Sequence, residues 1–184
     1  MTDAASLREV VRPLRRARQV REFTEEPLTD AELEAITDVA RWTGSSRNTQ
    51  PWRFLVTRDR ATIGRLESVG LPQTRSLKTA TAVVAIVLPD DPERRMSHAY
   101  DDGRAAERML IAAGMLGLAA GIAWVRPDVL PAAREILRLP EDRMVRTLMA
   151  LGHPTAEAQK PKSPPGEARL PRDEVVFSDR LPAD

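Results

Sequence analysis

The 184-residue chain contains no cysteine, which excludes disulfide frameworks, thiolate zinc sites, iron–sulfur clusters and cysteine nucleophiles together. Its two histidines, His98 and His153, stand in unrelated contexts with no second ligand at metal spacing, so both read as surface residues. No G-x-G-x-x-G motif is present, which argues against a dinucleotide held in the Rossmann manner. The P-loop pattern is missing too, and so is the G-x-S-x-G of a nucleophile elbow. Any redox cofactor must therefore be held in some other way.

An excess of one charge is also lacking, with 28 Lys+Arg against 27 Asp+Glu, so the molecule as a whole has no field suited to wrapping nucleic acid. The basic stretch from Arg12 to Arg21 has no interleaved aromatics and runs directly into Glu22, Glu25 and Glu26. The one long uncharged run, Met109 to Val125, is punctuated by Gly114, Gly117 and Gly121 and reads as a buried helix followed by a short strand, not as a membrane span. The opening MTDAASLREVV lacks the apolar core and cleavage site of a secretory signal, so the expected address is cytoplasmic.

What is present can be read by period. Leu7, Val10, Val11 and Leu14 recur at helical spacing and predict an amphipathic first helix leading into the basic segment. Thr29 with Glu32 forms a capping box for a second helix whose stripe is Leu33, Ile36, Val39 and Ala40, ending near Trp42. The small polar loop 44–51 precedes a strand at 52–57, and a short helix follows around 62–69. Residues 82–88 form a continuous apolar run, the pattern of a strand buried on both faces. A long helix is expected from about Tyr100, Asp128 is placed to cap another through about Leu137, and 144–152 reads as a further strand.

From Pro154 to Pro171 there are five prolines and almost no large apolar side chain, which predicts an extended arm. After it, Val175 to Phe177 is apolar enough to pair as a short strand, with another chain as the candidate partner. The organisation expected is one domain over 1–184 with 154–184 as a C-terminal arm. Its class is α+β, a mostly antiparallel sheet of four strands flanked by helices.

Five segments in this order and spacing resemble the nitroreductase family across nearly the whole chain: 18–23 (RQVREF), 45–54 (SSRNTQPWRF), the glycine-punctuated helix ending at 123–125 (AWV), 151–154 (LGHP) and 169–176 (RLPRDEVV). The resemblance implies an FMN-dependent oxidoreductase that is a homodimer, with a fifth strand supplied by the partner's C-terminal arm. It implies NADH or NADPH as reductant and a small electron-poor acceptor, such as a nitroaromatic or quinone, in ping-pong turnover. By position it assigns Arg18, Gln19, Arg21 and Arg169 to the FMN phosphate and ribityl chain. Ser45, Ser46 and Asn48 are assigned to a loop reaching the flavin of the other subunit. Trp124, Val125 and Arg126 are assigned to a segment along the ring that offers it backbone N–H groups.

Three positions depart from the family pattern. Ala17-Arg18-Gln19 replaces two arginines and a serine, Gly44 replaces a proline, and Glu167 replaces a basic residue two before Arg169. Each lost charge-assisted hydrogen bond is worth about 1.5–3 kcal/mol, so a weaker phosphate grip is expected unless Arg15, Arg16 or Arg172 substitutes. The competing reading is a family-like module that has lost its flavin or its turnover.

Overall fold

The computed structural model describes residues 3–160, 162–163 and 169–181. Glu167, one of the three departures, lies outside the described residues. The elements in chain order are α1 (Ala4–Val10), α2 (Arg12–Arg16), α3 (Asp30–Arg41), β1 (Arg53–Thr57), α4 (Arg60–Gly70), β2 (Ala82–Pro89), α5 (Arg95–Met115), β3 (Ala119–Trp124), α6 (Leu130–Leu137), β4 (Arg143–Gly152) and α7 (Ala156–Gln159). The four strands form one antiparallel sheet in the order β1-β2-β4-β3, so the fold is α+β as expected. Among the described residues no helix is long and apolar enough to cross a membrane.

The continuous apolar run of β2 is explained by its interior place in the sheet. Val84, Ile86 and Leu88 point into a core beneath α3 and α5, while Val83, Ala85 and Val87 point into a second core shared with α4 and α6. The sheet is thus covered on both faces, which is why β2 shows no alternation of polar and apolar residues. The Thr29 capping box forms as read: the Thr29 hydroxyl accepts from the Glu32 N–H, and the Glu32 carboxylate accepts from the Thr29 N–H at 2.7 Å. Of its stripe, Leu33, Ile36 and Ala40 are buried and Val39 sits at the margin.

Several expectations are corrected. The single N-terminal helix is two short ones, because Pro13 in the first turn of α2 has no N–H to carry a ladder across Val11. Its stripe of Leu7, Val10, Val11 and Leu14 is exposed, so nothing among the described residues covers it. The long helix starts at Arg95, a turn earlier than expected, led in by a 3-10 turn whose Glu93 N–H is capped by Asp91. Asp128 makes no side-chain cap on α6 and is bound instead to Arg126. His98 is not on the surface: it is buried on the inner face of α5. Val175 to Phe177, whose expected pairing is with another chain, are exposed and pair with no strand among the described residues.

Candidate functional site

The basic segment after α2 does not drift into solvent. It lies along the free edge of β3, where the Val20 N–H donates to the Ala120 carbonyl at 2.8 Å and the Ile122 N–H donates to Gln19 Oε1 at 3.3 Å. Gly121 makes the approach possible, because a Cβ there would stand 2.4 Å from the Val20 carbonyl oxygen. Gln19 Oε1 also accepts from the Arg21 guanidinium at 3.2 Å, so the β3 edge fixes both side chains. Further on, Phe23 bridges to Pro154 and the Thr24 N–H donates to the His153 carbonyl, which closes the segment over the end of β4.

Arg18 points the other way. Its guanidinium donates to the carbonyls of Ala158, Gln159 and Lys160 at 2.7, 2.5 and 3.3 Å, where α7 ends with unsatisfied acceptors. The arm is therefore tied to the basic segment at its root. The tie brings Lys160 and Lys162 into one cavity of about 440 Å³ with Gln19, Arg21, Glu22 and Glu157. Lys160 pairs with Glu157 at 2.6 Å. Sequence reading missed these two lysines. Their signal was spacing: Lys160 and Lys162 are two apart, as are Arg169 and the position where Glu167 replaces the family's basic residue. Arg169 is exposed and does not line this cavity.

At the far end of β3 the ladder's parity decides which amide is available. The Val125 N–H donates to the Arg146 carbonyl, and in an antiparallel pair successive residues alternate in direction, so the Trp124 N–H points off the sheet edge. The bonds that Gln19 and Val20 make to this edge are at Ile122 and Ala120, short of Trp124. Arg146 itself is the extra residue of a bulge in β4 opposite Ile86 and Val87, the kind of irregularity that re-aims a strand end. Arg126 holds Asp128 with two bonds, at 3.0 and 2.8 Å, and reaches Gln73 Oε1 at 3.0 Å and the Leu71 carbonyl at 3.3 Å. That side chain fastens the 70–78 segment, which is packed through buried Thr74, Ser76 and Leu77.

Beneath this end of β3 lies a buried carboxyl. Asp102 Oδ2 accepts from the Thr147 hydroxyl at 2.6 Å, and Thr147 is the residue paired with Trp124. Among the described residues neither Asp102 Oδ1 nor His98 Nδ1, one helical turn away, has a hydrogen-bond partner. Burial pushes the Asp102 carboxyl up to about 6, against the opposing pull of the Thr147 hydroxyl and the Arg146 charge. The folded protein thus takes up a proton between the ordinary value of 3.8 and about 6, and stability falls as pH rises through that window. Asp102→Asn, which cannot ionise, is expected to gain about 2 kcal/mol on the native protein between pH 4 and pH 8. Denaturant unfolding of both proteins at the two pH values measures this, and a gap that does not move with pH refutes it.

Ser45, Ser46 and Asn48 share one loop, at the opposite edge of the sheet. Ser45 Oγ accepts from the Gln50 N–H at 2.9 Å, and the Ser46 N–H donates to the buried Asp101 carboxylate at 3.2 Å. Arg47, Asn48 and Gln50 all have positive φ, of 52, 55 and 49°, a conformation that costs residues other than glycine roughly 1–3 kcal/mol each. Gly44, where the family pattern has proline, lies so close to Arg104 that a Cβ would be 2.6 Å from its Nη2.

The two groups of residues are far apart within one chain. The loop leads into β1 and the basic segment flanks β3, three strand spacings or about 14 Å away. Helix α5 gives the same answer: the loop touches Asp101, while Arg16 to Arg18 share a cavity wall with Leu110 and Gly114, about 14–20 Å along the axis.

Comparison with known proteins follows the same lines. Residues 14–85 match the model of the Nitroreductase family. An Archaeoglobus fulgidus protein, provisionally named NADH dehydrogenase/NAD(P)H nitroreductase, is 32% identical over 149 residues, which is 76% of this chain and 82% of that protein. An FMN-dependent nitroreductase from Clostridium difficile R20291 superimposes with a TM-score of 0.78 at 22% identity, covering 91% of this chain and 98% of that one. The NADPH:FMN oxidoreductase of Vibrio harveyi, solved with NAD+, superimposes with a TM-score of 0.80 at 24% identity, covering 94% and 78%.

Proposed function

Since this chain belongs to the nitroreductase family and is an oxidoreductase, we propose that it works with FMN as a cytoplasmic homodimer, taking reducing equivalents from NADH or NADPH. The acceptor is a small electron-poor molecule such as a nitroaromatic or quinone, and the two substrates use the same cleft in turn. FMN, when bound, supplies the two-electron chemistry, accepting hydride from the nicotinamide and passing reducing equivalents to the acceptor. The observation that carries this reading is the pairing, along one strand edge, of a cation-lined cavity with an uncovered backbone amide.

The residues present suit such a group. Arg21, Lys160 and Lys162 offer the charge that a dianionic phosphate requires, and Gln19 orients Arg21. The two lysines replace the charge lost at Ala17 and Glu167. Arg18 contributes by holding the arm in place, and Arg169 adds a cation from further along it. At the ring end, the Trp124 N–H is the donor turned outward, Val125 anchors the strand through Arg146, and Arg126 keeps the 70–78 segment alongside. Ser45, Ser46 and Asn48 stand at the opposite edge of the sheet from these groups and serve the site of the second subunit. In the dimer the partner's Val175 to Phe177 stretch, beyond the part of the arm that each chain keeps against its own Arg18, lies along the open edge of β1, where Leu55 and Val56 are exposed.

Purified protein tests this directly. A yellow dimer whose flavin absorbance bleaches on adding NADH or NADPH, and recovers with a quinone or nitroaromatic, is the expected result. A colourless protein that ignores added FMN rejects it in favour of a module without turnover.

A further inference from the structure

The family reading explains what the serine loop is for, but not how a short polar loop with three residues in left-handed conformation keeps its shape. The answer lies on α5. Asp101 is only 2% exposed, yet it sits two turns into the helix, past the free N–H groups of the first turn that could have satisfied a carboxylate. A buried charge needs partners. Its contacts are the Ser46 N–H, at 3.2 Å from Oδ1 and 3.4 Å from Oδ2, and the half-exposed Arg104 guanidinium at 4.0 Å. The amide is the closer partner.

From Ser46 the chain enters the strained stretch. The Asn48 N–H donates to the Ser45 carbonyl and the Thr49 N–H to the Ser46 carbonyl, so the carboxylate grips the residue on which the turn is built. Such strain persists only where the surroundings over-determine it. The side chains of Ser46, Arg47 and Asn48 are exposed, so the fixed turn serves something outside the chain.

We propose that Asp101 is a positioning residue: by accepting the Ser46 N–H it fixes the turn on which Ser45, Ser46 and Asn48 are presented to the flavin of the neighbouring subunit. The proposal rests on the flavin reading above. It differs from a purely structural role in what should rescue the loss. An amide side chain keeps the acceptor and removes the charge, whereas an ion pair with Arg104 needs the charge.

The test is an FMN titration of the full-length protein. Asp101→Ala should raise the flavin Kd about tenfold, and Asp101→Asn should stay within about threefold of the native value. Equal affinity for Asp101→Ala and the native protein overturns the proposal, and so does an Asn variant as weak as the Ala variant. Should Asp101→Ala fail to fold, Ser46→Pro is compared with Ser46→Ala. Ser45 already has the extended φ and ψ, −131° and 163°, that a residue before proline adopts, so the proline removes the N–H without breaking the turn. A Kd about tenfold above that of Ser46→Ala supports the proposal, and equal values overturn it.

Amide exchange of Ser46, read on the flavin-free protein, separates the two ideas. Protection lost in Asp101→Ala and kept in Asp101→Asn shows that Asp101 holds the loop, and unchanged protection in both overturns that hold. A native protein that takes no FMN at all sinks the functional reading instead.

Discussion

Gly121→Ala is expected to strip the protein of flavin while leaving a folded chain. Gly121 has no positive φ that reserves the position for glycine, so the effect comes from contact alone. The added methyl would stand 2.4 Å from the Val20 carbonyl oxygen and 3.3 Å from Ser76 Cβ, and the nearer obstacle is backbone, which no rotamer change relieves. The segment must lift off β3, giving up the Val20 N–H bond to Ala120 and the Gln19 bond to Ile122. Two such bonds and the overpacking together cost about 2–4 kcal/mol, or roughly 5–15 °C in Tm for a chain of this size. Arg21 moves with the segment, so FMN affinity should fall more than tenfold. A variant with native melting temperature and native flavin content refutes the role given to this close approach.

The second large effect concerns two chains at once. Arg21→Glu reverses a charge in the cavity proposed for the phosphate, and Asp101→Ala removes the acceptor proposed to hold the serine loop, so each variant of the proposed homodimer should bind FMN poorly at both sites. A mixed dimer with one chain of each kind is expected to recover one flavin per dimer at native affinity. If loop and cavity act on different subunits' flavins, one site of the mixed dimer gathers both defects and the other has none. Were both to serve the flavin of their own chain, every site would carry a defect and no recovery would appear. Differently tagged chains purified in sequence, then titrated with FMN, decide between a stoichiometry of one and of none.

What could be read in advance followed the range of the interaction. The Thr29 capping box was legible because its partners are three residues apart, and β2 because burial on both faces leaves an unbroken apolar run. The serine loop and the basic segment were legible as a resemblance in order and spacing. The Asp101 contact was not, since it joins residues 55 apart in the chain, and a carboxylate on a helix ordinarily marks its solvent face. His98 failed for the same reason: nothing local distinguishes a histidine on the inner face of α5 from one outside. Asp128 had the right residue type for a cap, but Arg126 two positions earlier offered it two charged bonds in place of one to backbone. Lys160 and Lys162 were hidden by the proline-rich composition around them, and what locates Lys160 is the bond of its neighbours' carbonyls to Arg18, far away in the sequence.

In the proposed dimer, where the serine loop and the basic segment of different chains hold one flavin, assembly and cofactor retention are one equilibrium. Any ligand that contacts two chains draws them together, and by reciprocity anything that parts them expels the ligand. Diluting the holoprotein should therefore release FMN in step with monomer formation, and added FMN should drive scarce monomers to associate. At low copy number, the amount of working enzyme in a cell would be set by flavin supply as much as by synthesis of the chain.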